Sequence, residues 1–220
     1  MQTRESPSFS WVELLFVVAV AFALPIYSSA LAVMSPTAAP PFSDAALWGI
    51  VFSESLVLAL LLPTLWLRGW TPQVLGLQWQ ARDLGPGVAL TVACVLATSP
   101  LILLDGSVAT EVNPSMDAMV AGPLSVGVVV LVSLINPVFE EVFVCAYVIR
   151  ALELHYSRAF AVNVSVAIRT SYHLYQGPVG AIAILVTGLI LGWWMARTGR
   201  LWPAIIAHAA LDLMAFMAYT

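Results

Sequence analysis

The residues best placed to do chemistry stand inside apolar stretches: Glu54, Glu140, Glu141, Arg169, His173, His208 and Asp212. A charge at the centre of a bilayer costs about 2.5 to 3.5 kcal/mol on insertion scales, so such residues turn toward a protein interior and mark function. Their spacing is informative, because residues four apart share one helix face. Arg169 and His173 make one such pair, and His208 and Asp212 make another. Glu140 and Glu141 are about 100° apart around their helix, so one can face a cavity while the other turns to a neighbouring helix or an arginine. Asn136 and Pro137, one turn earlier, take a backbone hydrogen bond out of the helix and predict a bend, with room for water beside the carboxylates. Carboxylate plus imidazole suits general-base activation of water, with a carboxylate-held histidine placing that water or stabilising an oxyanion. No serine or cysteine has His and acid partners in local sequence, and the H-E-x-x-H zinc pattern is absent.

Composition dictates the elements that hold these residues. The 220 residues are 61% hydrophobic and 9% charged, with a mean hydropathy of +0.95. A soluble domain carries about 25% charged residues. So much apolar surface needs lipid as its solvent, and in lipid only helices or closed barrels satisfy every backbone group. The apolar runs are about 20 residues long and do not alternate, which selects helices. The fold class is therefore all-α, a polytopic transmembrane bundle of about seven spans at 11–34, 45–67, 85–104, 122–149, 158–175, 177–196 and 201–219. They read as a single integral membrane domain over 1–220, with N-terminal helices in 11–104 and a core at about 122–219. The polar set predicts an active-site cavity among the C-terminal four spans. The first run is longer than the apolar core of a signal peptide and reads as a retained helix. An amphipathic connector from Arg68 to Gly85, with Trp70, Leu75, Leu77 and Trp79, is expected in the headgroup region.

Sidedness follows from the arginines. With the N-terminus cytoplasmic, Arg4, Arg68, Arg82, Arg150, Arg158, Arg197 and Arg200 all fall on cytoplasmic loops, and Arg169 alone lies inside a span. The loop from Asp105 to Ala121, acidic and without a base, then lies on the far side. The absence of lysine and the richness in Ala, Val and Leu point to a GC-rich bacterial genome and hence to a bacterial inner membrane. A net charge of −4 without a basic patch sets nucleic acid aside. Cys94 and Cys145, both within apolar runs, are expected as buried thiols rather than a disulfide. Trp66, Trp70, Trp193, Trp194 and Trp202 suit a membrane-interface belt, and His155, among Arg150, Glu153 and Arg158, is expected in water.

Three of these motifs, in this order, resemble the CAAX protease and bacteriocin-processing family of glutamate intramembrane proteases, also called type II CAAX endopeptidases or Abi proteins. The family pattern is E-E-x-x-x-R on one helix, F-x-x-x-H on a second, and H-x-x-x-N or H-x-x-x-D on a third. Here stand Glu140-Glu141, then His173, then His208 with Asp212, all between residues 130 and 216. The resemblance implies an intramembrane endopeptidase in which Glu140 is the general base and Glu141 orients the site. His173 would share the water, and His208 would stabilise the oxyanion while Asp212 holds its tautomer. Cys145 stands where the family has its arginine, and Arg169 where it has the aromatic residue. Together these departures suggest a relocated arginine, reaching the glutamates from the neighbouring helix and balancing their charge. The implied chemistry has no obligatory metal, although Glu140, His173 and His208 could supply three zinc ligands. The implied partner is a peptide or protein substrate, C-terminal or prenylated in character, arriving from the membrane lipid or its cytoplasmic face.

Other readings stay open from the residues alone. The glutamates and Arg169 could form a structural ion pair, and the histidines could serve interhelical hydrogen bonds. Glu54 could partner Arg169 or join the site. Intramembrane Glu, His, Asp and Arg also serve proton-coupled transporters, although no internal repeat is present. Cys145 in place of the motif arginine keeps a catalytically silent scaffold or immunity protein in view. Depth sets one further condition: at about 1.5 Å per residue, His173 lies about 22 Å from Arg158 and His208 about 12 Å from Arg200. The fifth helix is therefore expected to start late or to tilt.

Overall fold

The computed structural model describes residues 7–35, 42–105 and 119–220. The helices are α1 (Trp11–Met34), α2 (Asp44–Leu67), α3 (Leu84–Asp105), α4 (Val126–Glu153), α5 (Arg158–Ser171), α6 (Gly177–Thr198) and α7 (Trp202–Met217). Short 3-10 turns precede α3 and α6, and a β-bridge joins Phe42 to Val120. Local chemistry sets the ends. Ser10, Ser43 and Ser157 cap α1, α2 and α5 by accepting from the backbone N–H three residues on. Gly199, at φ 68°, closes α6 in the left-handed conformation that a side chain resists. Pro203 opens α7, where its missing N–H has no intrahelical role.

Contacts between distant residues define two ends of the bundle. At one end Glu13 accepts from Arg68 Nε at 2.8 Å, Trp70 Nε1 at 2.7 Å and the Tyr147 hydroxyl at 3.0 Å. There too Asp83, almost fully buried, takes Arg200 Nε at 2.7 Å and Nη2 at 2.6 Å. At the other end Asp44 accepts from the Ser125 backbone N–H at 2.8 Å, and Leu124 N–H donates to the Tyr219 carbonyl at 2.8 Å. The seven helices of the described residues thus run alternately between the ends. Arg68, Arg82, Arg150, Arg158, Arg197 and Arg200 all gather where α2, α4 and α6 finish. Arg4 and most of the acidic loop from Asp105 to Ala121 lie outside the described residues.

Among the described residues five helices, α1, α2, the segment leading through α3, α4 and α6, are long and apolar enough to cross a membrane. Apolar side chains cover the outside, with Leu24 on α1 and Phe52 on α2 each 72% exposed. The chain is an integral membrane protein. The expected fifth and seventh spans are shorter than a crossing requires. With 14 residues α5 rises about 21 Å, and with 16 residues α7 rises about 24 Å, against a hydrocarbon core of about 30 Å. The expected 158–175 run is interrupted because the chain leaves the helix at Tyr172 and passes through a 3-10 turn at Leu174–Gln176. Both short helices carry candidate site residues.

The connector also differs from expectation. Instead of lying flat among headgroups, residues 69–80 fold into the arginine-bearing end, where Trp70 and Leu75 are each 2% exposed. The Trp70 ring packs edge-on against Tyr147 with centroids 5.0 Å apart, so it belongs to the core rather than to an interface belt. Trp79, half exposed, packs edge-on against Trp202. His155 is exposed, with Phe9 edge-on against its ring.

At the centre stands α4, buried continuously from Phe139 to Ile149. Its lower half explains the unbroken apolar run in sequence, since a helix enclosed on every side has no polar face to reveal. Pro137 lacks an N–H for the preceding turn, and from Glu141 to Tyr147 the helix widens into π geometry. Widening loosens backbone carbonyls. The Ser165 hydroxyl of α5 donates to one of them, Val144 O, at 2.6 Å. Beside the carboxylates the helix thus changes pitch while remaining continuous.

Candidate active site

Glu140 and Glu141 stand where α4 passes from α to π geometry, with relative exposures of 4% and 0%. Two buried carboxylates need compensation, because an uncompensated buried charge costs several kcal/mol. Arg169 supplies it from α5. Its Nη2 lies 2.5 Å from Glu141 Oε1 and its Nη1 3.5 Å from Glu140 Oε2. The guanidinium reaches the site past Gly188 of α6, where an added Cβ would meet Arg169 Cδ at 3.2 Å. Cys145, at the position of the family's arginine, lies beside Glu141 and places its sulfur 3.7 Å from Leu191 O of α6. It and Cys94 are free and buried.

Each glutamate has its own histidine. His208 of α7 brings Nδ1 to 2.8 Å from Glu141 Oε1, so one carboxylate oxygen receives both the guanidinium and the imidazole. His173, just past the end of α5, brings Nε2 to 3.9 Å from Glu140 Oε1. Its Nδ1 is 3.0 Å from the Arg169 carbonyl. A carbonyl only accepts, so the proton sits on Nδ1 and the Nε2 lone pair faces Glu140. Asp212 stands 3.5 Å from His208 Nε2, beyond hydrogen-bond length. Glu141 is thus the closer of the two acids to the His208 ring, and Asp212, to which the resemblance assigns the tautomer, stands at its other nitrogen.

The depth condition is met without a late start of α5. Arg169, one turn before His173, is the residue that lies level with Glu141 and His208, while His173 reaches Glu140 from beyond the helix end. Glu54 does not pair with Arg169. Its Oε1 accepts from Asn136 Nδ2 at 2.8 Å, and the same amide nitrogen lies 3.2 Å from Glu140 Oε1. The polar site is thus built by α4, α5 and α7 with a contribution from α2, while α6 supplies close packing rather than charge.

Two participants were not singled out for this role in the sequence. The Tyr172 hydroxyl donates to Glu140 Oε2 at 2.8 Å, with its ring stacked on Phe22 at 4.9 Å. Tyr172 precedes His173 directly, and that adjacency was the available signal. Asn136 lies four residues before Glu140, the spacing at which an amide can reach a carboxylate on one helix face. Among the described residues no three His, Cys, Asp or Glu side chains are grouped to hold a metal ion. The carboxylates are enclosed, and the partly open side of the site is formed by the side chains of His173, 13% exposed, and Asp212, 21% exposed.

With this geometry established, residues 122–214 match the model of one protein family, described as type II CAAX prenyl endopeptidase Rce1-like. The match takes in all of α4, α5 and α6 and most of α7, and the resemblance carried by the three motifs holds over that segment. No curated protein and no solved structure matches the chain.

Proposed function

Proceeding from a segment similar to the type II CAAX prenyl endopeptidases, we propose that this protein hydrolyses peptide bonds inside the membrane with a water activated by Glu140. The observation that carries this reading is the pairing of Glu140 Oε1 with the His173 Nε2 lone pair, 3.9 Å apart. Two acceptors at that separation suit one water donating a hydrogen to each, which leaves the oxygen lone pairs directed at a substrate carbonyl. Glu140 takes a proton from that water as its oxygen bonds to the carbonyl carbon. The same proton then passes to the leaving nitrogen as the C–N bond breaks.

Glu141 and Arg169 carry the supporting electrostatics. Arg169 balances the carboxylates, so Glu140 can act as a base without an uncompensated neighbour. Glu141 anchors His208 through Nδ1 and leaves Nε2 toward the open side, where it can donate to the developing oxyanion when the ring carries both protons. Asp212, beside that nitrogen, borders the approach of the substrate. No step requires a metal. The substrate is a peptide or protein segment, C-terminal or prenylated in character, entering from the lipid or the cytoplasmic face. The arginine-bearing end lies in the cytoplasm of a bacterial cell, with the N-terminus on that side.

Cleavage of a fluorogenic peptide library by the purified detergent-solubilised protein, with and without chelator, tests the reading. The expected result is chelator-insensitive cleavage that is lost in Glu140→Ala, His173→Ala and Arg169→Ala. Absence of cleavage by the wild type, under conditions where an active relative cleaves, would overturn it in favour of a silent scaffold or a proton pathway.

A further inference from the structure

One amide joins two acids from different helices. Asn136 Nδ2 lies 2.8 Å from Glu54 Oε1 and 3.2 Å from Glu140 Oε1, so its two N–H bonds are divided between α2 and its own helix. Glu54 lies outside residues 122–214. Its other oxygen, Oε2, is buried without a hydrogen-bond partner among the described residues. A partly buried carboxyl inside an apolar helix, held by a single amide, is a poor device for stability alone, since an apolar residue of similar volume would avoid the desolvation.

The geometry points to Glu54 as a positioning residue of the site, acting through Asn136 on Glu140 Oε1. An asparagine amide presents nearly the same shape when its oxygen and nitrogen are exchanged, so hydrogen-bond partners decide its orientation. Two acceptors on one NH2 group leave one orientation, with N–H directed at both acids. With Glu54 removed, the amide keeps one acceptor and is free to swing, and an Asn136 oxygen turned to Glu140 would repel it. Oε1 is the oxygen that faces His173 Nε2, so the pose of Asn136 sets the direction of the oxygen that takes the water's proton. This role rests on the reading of Glu140 as the base. It also gives α2 a part in the chemistry that neither hydropathy nor the matched motifs assign.

Kinetics of Glu54→Ala, Glu54→Gln, Asn136→Ala and the double variant Glu54→Ala/Asn136→Ala test the inference, beside infrared difference spectra of the same proteins. Glu54→Ala is expected to lower kcat by about tenfold to a hundredfold, the range for partners that orient a functional group, with little change in KM. Glu54→Gln keeps an acceptor oxygen and recovers most of that loss. In the Asn136→Ala background Glu54→Ala adds nothing, because the two act in one chain. The carboxyl band identified by its loss in Glu140→Gln shifts in Glu54→Ala and returns in Glu54→Gln. An unshifted band, an additive double variant, or a lowered melting temperature with unchanged kcat overturns the inference. A shifted band in a protein that cleaves nothing would retain the positioning of Glu140 and reject the proteolytic reading.

Discussion

Arg169 Nη2 and Glu141 Oε1 meet at 2.5 Å across 28 residues of sequence, joining α5 to the π stretch of α4 with both side chains almost fully buried. An arginine four residues after Glu141 on α4 would stand at position 145, which Cys145 fills beside Glu141 with its sulfur 3.7 Å from Leu191 O. From α5 the guanidinium instead spans both carboxylates, 2.5 Å from one and 3.5 Å from the other. Charge balance at the site is thus an interhelical property, and it ties the catalytic proposal to the packing of α5.

Removal of Arg169 leaves two buried carboxylates facing one another. Arg169→Ala is expected to abolish cleavage and to destabilise the protein by about 3 to 5 kcal/mol, the cost of breaking a buried pair. Introducing Cys145→Arg into that variant supplies a guanidinium from the family's own position and is expected to regain thermal stability. Melting of the single and double variants in detergent checks both statements. A double variant that melts below Arg169→Ala would show that the site accepts its cation from α5 alone.

Gly188 is the opening through which the arginine reaches the site, because a Cβ there would lie 3.2 Å from Arg169 Cδ and 3.4 Å from Val166. Gly188→Val is expected to displace the guanidinium and lower kcat by about a hundredfold, since misplacement by about 1 Å can cost that much. Gly188→Ala needs a smaller displacement and is expected to lose less. Parallel measurement of kcat and melting temperature separates displaced charge from general overpacking, which would lower stability in proportion.

Much of this arrangement is legible in the sequence, and the exceptions have physical causes. Long apolar runs mark α1, α2, α3, α4 and α6 because lipid imposes length and composition together. Glu140, Glu141, Arg169 and His208 stand out because charge in such runs is costly, and helical spacing brings the right residues to one level. The shortness of α5 is hidden, because Tyr172 and His173 continue the polar-apolar pattern beyond the point where the helix ends. Trp70 reads as an interface residue from its type alone, and its long-range contacts, the hydrogen bond to Glu13 and the packing on Tyr147, place it inside. Asn136 beside Pro137 reads as a helix breaker. The hydrogen bond its amide donates to Glu54, across 82 residues, leaves no trace in local spacing. The π stretch is hidden for a similar reason, since Ser165 of another helix satisfies the carbonyl that it loosens.

The histidine of α7 has two acids near it, and the distances rank them. Glu141 Oε1 is 2.8 Å from Nδ1, whereas Asp212 Oδ1 is 3.5 Å from Nε2. Glu141→Gln leaves an amide that can turn its NH2 toward Nδ1 and invert the tautomer, so cleavage is expected to fall by at least about a hundredfold. Asp212→Asn is expected to act on KM, because Asp212 borders the partly open side of the site. Steady-state kinetics of the two variants decide the ranking, and a larger kcat loss in Asp212→Asn would restore Asp212 as the group that holds the ring.

Tyr172 offers the most selective probe of Glu140. Its hydroxyl donates to Oε2 at 2.8 Å, on the oxygen away from His173, and its ring is held by the stack on Phe22 and the contact with His173 at 4.6 Å. Tyr172→Phe deletes one oxygen and keeps the ring, so the fold should be nearly untouched. A hydrogen bond to a charged group contributes about 1.5 to 3 kcal/mol, which corresponds to roughly a tenfold to hundredfold change in rate if it acts in the transition state. Deleting it frees Oε2 to rotate the carboxylate, so the loss is expected in kcat with KM nearly constant. A combined Tyr172→Phe/Glu54→Ala variant then releases Glu140 from both of its orienting chains, one on each oxygen. The two losses should multiply if the chains are independent and fall short of the product if one oxygen compensates for the other. An unchanged kcat in Tyr172→Phe would mean that Arg169 and Asn136 suffice to aim the carboxylate.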